Sequence, residues 1–511
     1  MISRRFFMAA GGLTVSVPKA IAQSSRYHFT LGVASGCPRP DGIVLWTRLA
    51  PDPLRGGGMP RGKAAVRYRL CSDQAMRRTV REGIAETSEA KAHAVHVVIR
   101  GLEPGREYWY QFTFGADESP VGRTKSADIE AASARLALAS CAHYEAGQFA
   151  AYGDIAAWAP DCVIHVGDYI YETGPGILGL RSADVGGFTA VWENVRQHVG
   201  AETVTLWDYR NRYALYKSEP ALQAAHAAAP WIAALDDHEL DNNWTADIPQ
   251  DPWAQTPLEF KVRKLAALQA YYEHLPLEQP PRVNGIESHL QLYGTYRFGP
   301  AQVHLLDTRQ YRSDQVCEAG GNPADRSCDA LNDPNLSMTG AAQERWLVKE
   351  LKDSAAPFNV IASQTWFAPY RYDDGKDAPQ VNMDQWDGYP LQRRRLIDVL
   401  ASGVSNPIVL SGDWHCAAAM RIHKDPWDAT SPRIGHNFCG TSISSHCPWS
   451  QAMRAARDFN PHVDHYNGDS RGYLRCEVTG RNWRSDYRVL ADPRDPRSAV
   501  ATDVTIDTRD V

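Results

Sequence analysis

The sequence lacks several patterns that would assign it to a common class of protein. No apolar run approaches the roughly 20 residues that a membrane-spanning helix needs. The absence of any Cys-x-x-Cys pair excludes all-thiolate zinc and iron–sulfur sites. Neither a Gly-x-Ser-x-Gly nucleophile elbow nor a Gly-x-x-x-x-Gly-Lys-Ser/Thr phosphate loop occurs. Basic residues are not in excess, because 54 Lys and Arg stand against 60 Asp and Glu. We therefore expect no transmembrane segment and no stable complex with nucleic acid.

The start of the chain has the features of an export signal. Arg4 and Arg5 form a twin-arginine pattern, a weakly apolar stretch follows, and small residues near Ala22 suit cleavage. We interpret residues 1–22 as a twin-arginine signal peptide, which predicts a periplasmic or secreted protein. Because the twin-arginine export machinery carries folded proteins, we also expect a metal or another cofactor that is inserted before export.

The ten cysteines allow disulfide bonds without requiring them. Cys317 and Cys328 bracket a loop rich in Asp, Asn, Gly and Pro, and we predict that they are bonded. Cys439 and Cys447 are a second candidate pair. The spacing alone does not fix the connectivity.

Residues 26–128 have the pattern of an all-β domain. A Leu-Glu-Pro-Gly turn at 102–105 leads into a strand with alternating aromatic residues, Tyr108, Tyr110 and Phe112. This segment is similar to the corner of fibronectin type III domains, where a tyrosine hydroxyl holds the turn. We predict a β-sandwich without chemistry of its own, which serves to position the rest of the chain.

From 134 to 490, short apolar strands alternate with helical stretches, which favours an α/β domain of sheets flanked by helices. Helical spacing is clearest at 259–274, 341–351 and 391–400. We assign 491–511 to a C-terminal tail, while the sequence leaves open whether the segment from about 480 forms a cap or a last strand.

Six apolar strands of this region end at polar or metal-binding residues. In α/β folds, ligands collect at the carboxyl ends of strands, so we predict one site there. Asp168 and Asp413 offer hard oxygen ligands, His415 an imidazole, Cys141 a thiolate and Tyr171 a phenolate. Such a mixed set suits a redox-capable or trivalent ion beside a harder divalent ion. The strands are 135–139, 162–166, 231–235, 303–306, 360–362 and 407–410.

With these residues in view, the chain resembles the PhoD-like alkaline phosphatases, a branch of the calcineurin-like metallophosphoesterases. The resemblance covers nearly the whole chain. It implies an α/β metallophosphoesterase domain preceded by an all-β domain. The motifs that carry it are 29–36, 44–48, 167–172, 236–239, 306–312, 386–390, 410–415 and 440–445.

The resemblance implies one ferric ion next to one or two calcium ions. Cys141, Asp168, Tyr171 and His415 stand where the family's iron ligands stand, with Asp168 as the bridge between the metals. The Gly-Asp-x-x-Tyr spacing is also the iron-binding spacing of purple acid phosphatases.

Calcium would be held by Asp237 and Asp413, with an amide oxygen from Asn242 or Asn243. The segments 141–143 and 412–415 depart from the wider superfamily, which has Asp-x-His and Gly-His-x-His there, and both departures match the PhoD branch. They argue against a dizinc or dimanganese centre.

The implied reaction is hydrolysis of phosphomonoesters, and also of diesters, by attack of a metal-bound hydroxide on phosphorus, with release of inorganic phosphate. His238 is the candidate for contacting the phosphate or protonating the leaving group. Arg309 is a second candidate, with a structural ion pair as the alternative. We expect Glu239 to orient His238 or a loop.

Three further histidines, His143, His165 and His304, are expected to serve packing or to support ligands. Three other functions stay open. One is a dedicated phosphodiesterase acting on phospholipid, cell-wall polymer or nucleotide diesters. The others are a cell-envelope binding module and an electron-transfer iron protein.

Overall fold

The computed structural model describes residues 27–318, 323–375 and 378–508. The predicted signal peptide at 1–22 therefore lies outside the described residues. The described residues contain 27 strands and seven α-helices. None of these helices is both long enough and apolar enough to cross a membrane.

The strands, in chain order, are β1 (Val33–Arg39), β2 (Gly42–Arg48), β3 (Lys63–Cys71), β4 (Thr79–Ser88), β5 (Ala94–Arg100), β6 (Glu107–Phe114), β7 (Asp117–Glu118), β8 (Gly122–Lys125), β9 (Ser133–Ala139), β10 (Cys162–His165), β11 (Gly179–Val185), β12 (Phe188–Asn194), β13 (Pro230–Ala233) and β14 (Arg282–Asn284). They continue with β15 (Glu287–His289), β16 (Gly294–Phe298), β17 (Ala301–Leu305), β18 (Asp325–Arg326), β19 (Phe358–Ala362), β20 (Gln380–Val381), β21 (Pro407–Ser411), β22 (Ala417–His423), β23 (Arg433–Cys439), β24 (Val463–Asn467), β25 (Gly472–Thr479), β26 (Asn482–Leu490) and β27 (Val500–Asp507). The helices are α1 (Ala150–Trp158), α2 (Leu206–Lys217), α3 (Pro220–Ala228), α4 (Pro257–His274), α5 (Gly340–Asp353), α6 (Pro390–Ala401) and α7 (Ser450–Ala456).

Two large sheets form the centre of the molecule. One has the order β27-β26-β25-β9-β10-β13-β1-β2-β5, and the other has the order β16-β17-β19-β21-β23-β22-β24. Within them β9, β10 and β13 run parallel, as do β17, β19, β21 and β23. The sheets pack face to face over a core that includes Leu138, Ile164, Leu305 and Leu410. Burial on both faces explains why these strands are continuous apolar runs.

Helices cover the outer faces of both sheets. Alternation along β10 sends Val163 towards the layer of α1 to α4, and Ile164 towards the other sheet. Helices α5 and α6 pack on the outer face of the second sheet. The predicted α/β layers are therefore confirmed, with the predicted helices at 259–274, 341–351 and 391–400 found as α4, α5 and α6.

The start of α4 is fixed by local chemistry. Thr256 accepts a hydrogen bond from the backbone N–H of Glu259, whose carboxylate accepts one from the backbone N–H of Thr256. Proline occupies the first turn, where its missing N–H costs nothing. The same reciprocal cap joins Thr205 and Asp208 at α2.

The fibronectin-III-like sandwich predicted for 26–128 is not confirmed. The predicted corner is present, since the hydroxyl of Tyr108 accepts a hydrogen bond from the backbone N–H of Glu103 at 3.1 Å. Strands β3, β4, β6, β7 and β8 form one sheet of this region. However, β1, β2 and β5 belong to the large sheet, because β1 pairs in parallel with β13. The break in sequence pattern near 130 is thus not a break between sheets.

The segment from about 480, whose role the sequence left open, contributes strands to the large sheet. Strand β27, inside the segment that we assigned to a tail at 491–511, pairs antiparallel with β26 at the edge of the large sheet. The predicted disulfide between Cys317 and Cys328 is present, with a Cα–Cα distance of 5.5 Å. The second candidate pair is wrong, since Cys439 and Cys447 are free thiols.

Candidate metal centre

The predicted metal ligands lie in the loops that follow four parallel strands. Cys141 follows β9, Asp168 follows β10, Asp237 follows β13, and Asp413 and His415 follow β21. The first three strands are neighbours in one sheet, and the fourth belongs to the facing sheet. The carboxyl ends of these strands therefore meet at one edge of the sandwich, where rigid backbone aims the side chains at one another.

The first cluster contains thiol, carboxylate, phenol and imidazole groups. Ligand atoms of Cys141, Asp168 and His415 all lie within 4.8 Å of one another. The hydroxyl of Tyr171 is 2.8 Å from Asp168 Oδ2 and 3.1 Å from His415 Nε2. Nδ1 of His415 donates to the carbonyl of His446 at 2.5 Å, which leaves Nε2 unprotonated and facing the cluster. The structure thus brings together the four residues predicted to hold the iron.

The second cluster consists of carboxylates and one histidine. Asp168, Asp237 and His238 offer ligand atoms within 4.8 Å of one another, and so do Asp236, Asp237 and Asp413. Asp168 is common to the first cluster and to this one, which is the position that a bridging ligand requires. Four carboxylates in so small a volume repel one another unless cations are present.

Burial and mutual repulsion shift the protonation of these groups. Burial raises the pKa of Asp168 to about 7. Burial and the neighbouring Asp237 raise the pKa of Asp413 well above its usual value. The pKa of the Cys141 thiol is also raised, by burial and by Asp168. Asp237 differs, because Arg309 and His238 outweigh the effect of its burial and lower its pKa. Bound cations would stabilise the ionised forms of all of these groups.

Two carboxylate oxygens in this cluster lack a hydrogen-bond partner. They are Oδ2 of Asp236 and Oδ1 of Asp237, and both residues are almost fully buried. An unpartnered buried carboxylate oxygen is costly unless a cation compensates for it. The donor set therefore fits hard cations at the carboxylates and an ion that accepts thiolate at Cys141.

The backbone of the site residues is unusual. Cys141, Asp168, Asp413 and His415 have φ angles of 57°, 55°, 61° and 53°, in the left-handed region that non-glycine residues rarely adopt. Such a conformation costs of order 1–3 kcal/mol at each residue and persists only where the surroundings impose it. Four of the predicted ligands therefore share a strained backbone conformation, of the kind that clusters at catalytic and ligand-binding sites.

Glu239 connects the loops that follow two neighbouring strands. Its buried carboxylate accepts backbone N–H groups from Asp168 at 3.1 Å, Tyr169 at 2.5 Å and Asp236 at 2.7 Å. It thereby ties the loop after β10 to the loop after β13. Of the two predicted roles for Glu239, orientation of a loop is the one observed.

His238 is oriented by Glu172, which the sequence analysis missed. Nδ1 of His238 lies 2.7 Å from Glu172 Oε2, and the imidazole stacks on Tyr171 with 4.1 Å between ring centroids. Burial alone would lower the pKa of His238, but Glu172, Asp237 and Asp168 outweigh it and raise the pKa well above the usual value. These carboxylates therefore favour the protonated form of the imidazole.

Arg309 is completely buried and pairs with carboxylates. Nε donates to Asp236 at 2.5 Å, and the two terminal nitrogens donate to Asp384 at 2.9 and 2.7 Å. It is not among the residues that line the cavity beside the clusters. The geometry favours the alternative that we left open, a structural ion pair that supplies positive charge behind the carboxylates.

The remaining predicted residues divide into two groups. Asn242 and Asn243 line the cavity, and the backbone N–H of Asn243 donates to Asp237 at 2.9 Å. His165 is buried against the hydroxyl of Tyr152, 3.2 Å away, and His304 contacts Thr295, so both serve packing. The ring of His143 lies 4.3 Å from that of Tyr171, beside a predicted ligand.

A cavity of about 240 Å³ opens beside the clusters. Several residues of its wall gave no signal in the sequence, because they come from loops of irregular pattern. The lining residues are Asp237, His238, Asn242, Asn243, Gln250, Gln315, Asp325, Asn382, Met383, Asp384, Asp413, Trp414, His415 and Trp449.

The chain is similar to known proteins over nearly its whole length. The family model "PhoD-like phosphatase" matches residues 136–487, and the model of the N-terminal domain of that family matches residues 15–128. Alkaline phosphatase D of Bacillus subtilis (strain 168) is 42% identical over 521 aligned residues, covering 98% of this chain and 86% of the relative.

Two solved structures are also similar to this chain over most of its length. A structure of PhoD superposes with a TM-score of 0.87 at 41% identity, covering 94% of this chain and 90% of that one. Purple acid phosphatase PPD1 from yellow lupin seeds shares the fold, with a TM-score of 0.56 at 11% identity, covering 93% of this chain and 73% of that one.

Proposed function

The chain belongs to the PhoD-like phosphatase family, and from that premise we propose that it is an exported enzyme that hydrolyses phosphomonoesters and accepts diesters. Membership of this family makes it a metal-dependent phosphoric ester hydrolase. The main observation behind the proposed reaction is that Cys141, Asp168, Tyr171 and His415 lie close together, next to a second cluster of carboxylates.

We assign the two clusters to two kinds of ion. Cys141, Tyr171 and His415 would hold ferric iron, for which thiolate and phenolate are suitable ligands. Asp237 and Asp413 would hold calcium, with an amide oxygen of Asn242 or Asn243, because calcium prefers oxygen ligands. Asp168 would be shared between them.

When bound, the ions supply positive charge to the phosphoryl oxygens and make water nucleophilic near neutral pH. The protein's own groups complete the site. His238 lines the cavity, and its imidazole, when protonated, can donate a hydrogen bond to a phosphoryl oxygen or a proton to the departing alkoxide. Glu172 fixes the direction of that donor through its contact with Nδ1. Arg309 stays behind the carboxylates and keeps Asp237 ionised.

A dedicated phosphodiesterase is the second candidate function. None of the described residues that line the cavity is Lys or Arg. A diester carries one negative charge where a monoester carries up to two, so it needs less compensating positive charge. This wall therefore favours diesters more than an arginine-rich wall would.

The test combines metal analysis with paired assays on the purified protein. We expect iron and calcium to copurify, and we expect p-nitrophenyl phosphate and bis(p-nitrophenyl) phosphate to be hydrolysed. Asp168→Ala should abolish both activities and stay soluble, while Asp184→Ala, in an exposed hairpin, serves as the control. Near-parental rates in Asp168→Ala would rule out the paired clusters as the seat of catalysis. A preference for one of the two esters decides between the two candidate functions.

A further inference from the structure

We infer that the cavity beside the metal centre binds the alcohol part of the substrate and is built for an alcohol that carries an alkylammonium group. This inference rests on the proposed function, because it concerns the group bonded to the phosphate. The substrate class is phosphate esters of small cationic alcohols, and Trp449 is the residue that determines the specificity.

Two tryptophans form an aromatic part of the cavity wall. The rings of Trp414 and Trp449 have centroids 4.9 Å apart at an angle of 32°, and Trp449 also stacks on His415 at 5.3 Å. The indole N–H of Trp449 donates to the carbonyl of Trp414, and that of Trp414 donates to Tyr372, each at 3.1 Å. Both N–H groups therefore have protein partners, and neither indole is left as a hydrogen-bond donor for a ligand in the cavity.

Hydrogen bonding also holds these rings in place. Trp414 is almost fully buried, and Trp449 is partly buried at the start of α7. Rings that are already ordered lose little conformational entropy when a ligand binds. Ordered tryptophan faces are the groups that recognise quaternary ammonium ions in proteins.

The charge of the cavity wall also favours a cationic alcohol. Among the described lining residues, Asp325 and Asp384 are carboxylates outside the predicted ligand set, and no lysine or arginine accompanies them on the wall. Arg309 and Arg312 pair with Asp384 from the side away from the cavity, and Asp325 also has a partner within the protein. A cationic alcohol would find aromatic and acidic neighbours, whereas an anionic alcohol would find no lining cation outside the metal centre except His238.

The size of the cavity restricts the alcohol. Its volume of about 240 Å³ lies below the roughly 300–1,000 Å³ of typical small-molecule sites. Since the phosphoryl group takes part of this space, the alcohol that shares it has to be small. Ethanolamine-like and choline-like alcohols meet the requirements of size and charge.

The decisive experiment compares two esters that differ in one atom. Phosphocholine and 3,3-dimethylbutyl phosphate have the same shape, but the second has carbon in place of the cationic nitrogen. For the metal-loaded, full-length enzyme we expect kcat/KM to be at least about tenfold higher for phosphocholine, the scale of a largely desolvated cation–π contact. Equal values for the two esters would overturn the inference.

Variants of Trp449 locate the preference. Trp449→Leu should bring the ratio of the two kcat/KM values close to one, and Trp449→Phe should keep most of it, because the ring remains while the indole N–H is lost. Trp427→Leu removes an exposed tryptophan that does not line the cavity and should leave the ratio unchanged. A parental ratio in Trp449→Leu would contradict the assignment.

The ratio of two substrates separates this inference from the proposed function. If the enzyme hydrolyses p-nitrophenyl phosphate but does not distinguish the two esters, the ammonium subsite is wrong and the phosphatase assignment stands. If none of the three compounds is hydrolysed by metal-loaded protein, the proposed function itself fails.

Discussion

Replacement of Glu239 tests whether one buried carboxylate holds the metal centre in shape. Its two oxygens accept three backbone N–H groups, from Asp168, Tyr169 and Asp236, and only 2% of the residue is exposed. Glu239→Ala leaves three buried donors without a partner, at about 1–3 kcal/mol each. We therefore expect the free energy of unfolding to fall by at least about 3 kcal/mol.

Glu239→Gln is a smaller change at the same position and should cost less stability than Glu239→Ala. The glutamine has a similar shape and one acceptor oxygen, which can serve the two donors that now share Oε2, but its amide nitrogen faces the third donor. One lost hydrogen bond and a donor–donor contact cost about 1–3 kcal/mol. Stability should therefore decrease in the order parent, Glu239→Gln, Glu239→Ala.

Urea unfolding followed by tryptophan fluorescence measures this order, and metal analysis of the same samples shows whether the clusters still bind ions. Glu193→Gln is the control, because Glu193 only joins a partly exposed ion pair with Arg494, worth at most about 1 kcal/mol. If Glu239→Ala unfolds within 1 kcal/mol of the parent, or if both Glu239 variants lose the same amount, the carboxylate does not hold the two loops in the way described.

Three further predictions concern colour, pH and the disulfide. A phenolate on ferric iron absorbs visible light by charge transfer, so the purified protein should be coloured and Tyr171→Phe should lose the band; a colourless, iron-free and fully active parent would contradict the ligand set. Burial lowers the pKa of His165 to about 3. Its unfolded form, with a pKa near 6.5, therefore takes up a proton that the folded form refuses, and stability is lost as the pH falls below about 6.5, by about 2 kcal/mol at pH 5. His165→Gln should reduce the loss between pH 7 and pH 5 by that amount in urea titrations, and an unchanged loss would count against this role. Replacing Cys317 and Cys328 by serine together should cost up to about 3 kcal/mol in the same assay, because the bond closes a short loop, and an identical midpoint under oxidising conditions would show that the bond adds no stability.

The sequence was most informative where strands end in polar residues. The apolar runs before Cys141, Asp168, Asp237 and Asp413 are parallel strands of two facing sheets, and their carboxyl ends meet as expected. Periodicity also predicted α4, α5 and α6, since each has one apolar side that packs on a sheet. These features depend on local pattern and on a general rule of topology, which a single sequence contains.

Other features depend on contacts between distant segments and could not be predicted from local pattern. Glu172 and His238 are 66 positions apart, and nothing near either residue indicates their contact. The membership of β1 in the large sheet depends on its pairing with β13, almost 200 residues away. The aromatic wall at Trp414 and Trp449 likewise depends on how two loops pack.

The parallel pairing of β1 with β13 also limits how this protein can be divided. Without the first hundred residues, β13 would have unpaired N–H and C=O groups along one side, next to the loop that carries Asp236 and Asp237. A truncated chain beginning near 130 would therefore expose the unpaired edge of β13 beside the candidate metal centre, and it would be prone to aggregate through that edge. The front segment cannot be exchanged for an unrelated module, and successful chimeras will have to preserve the strand that borders β13.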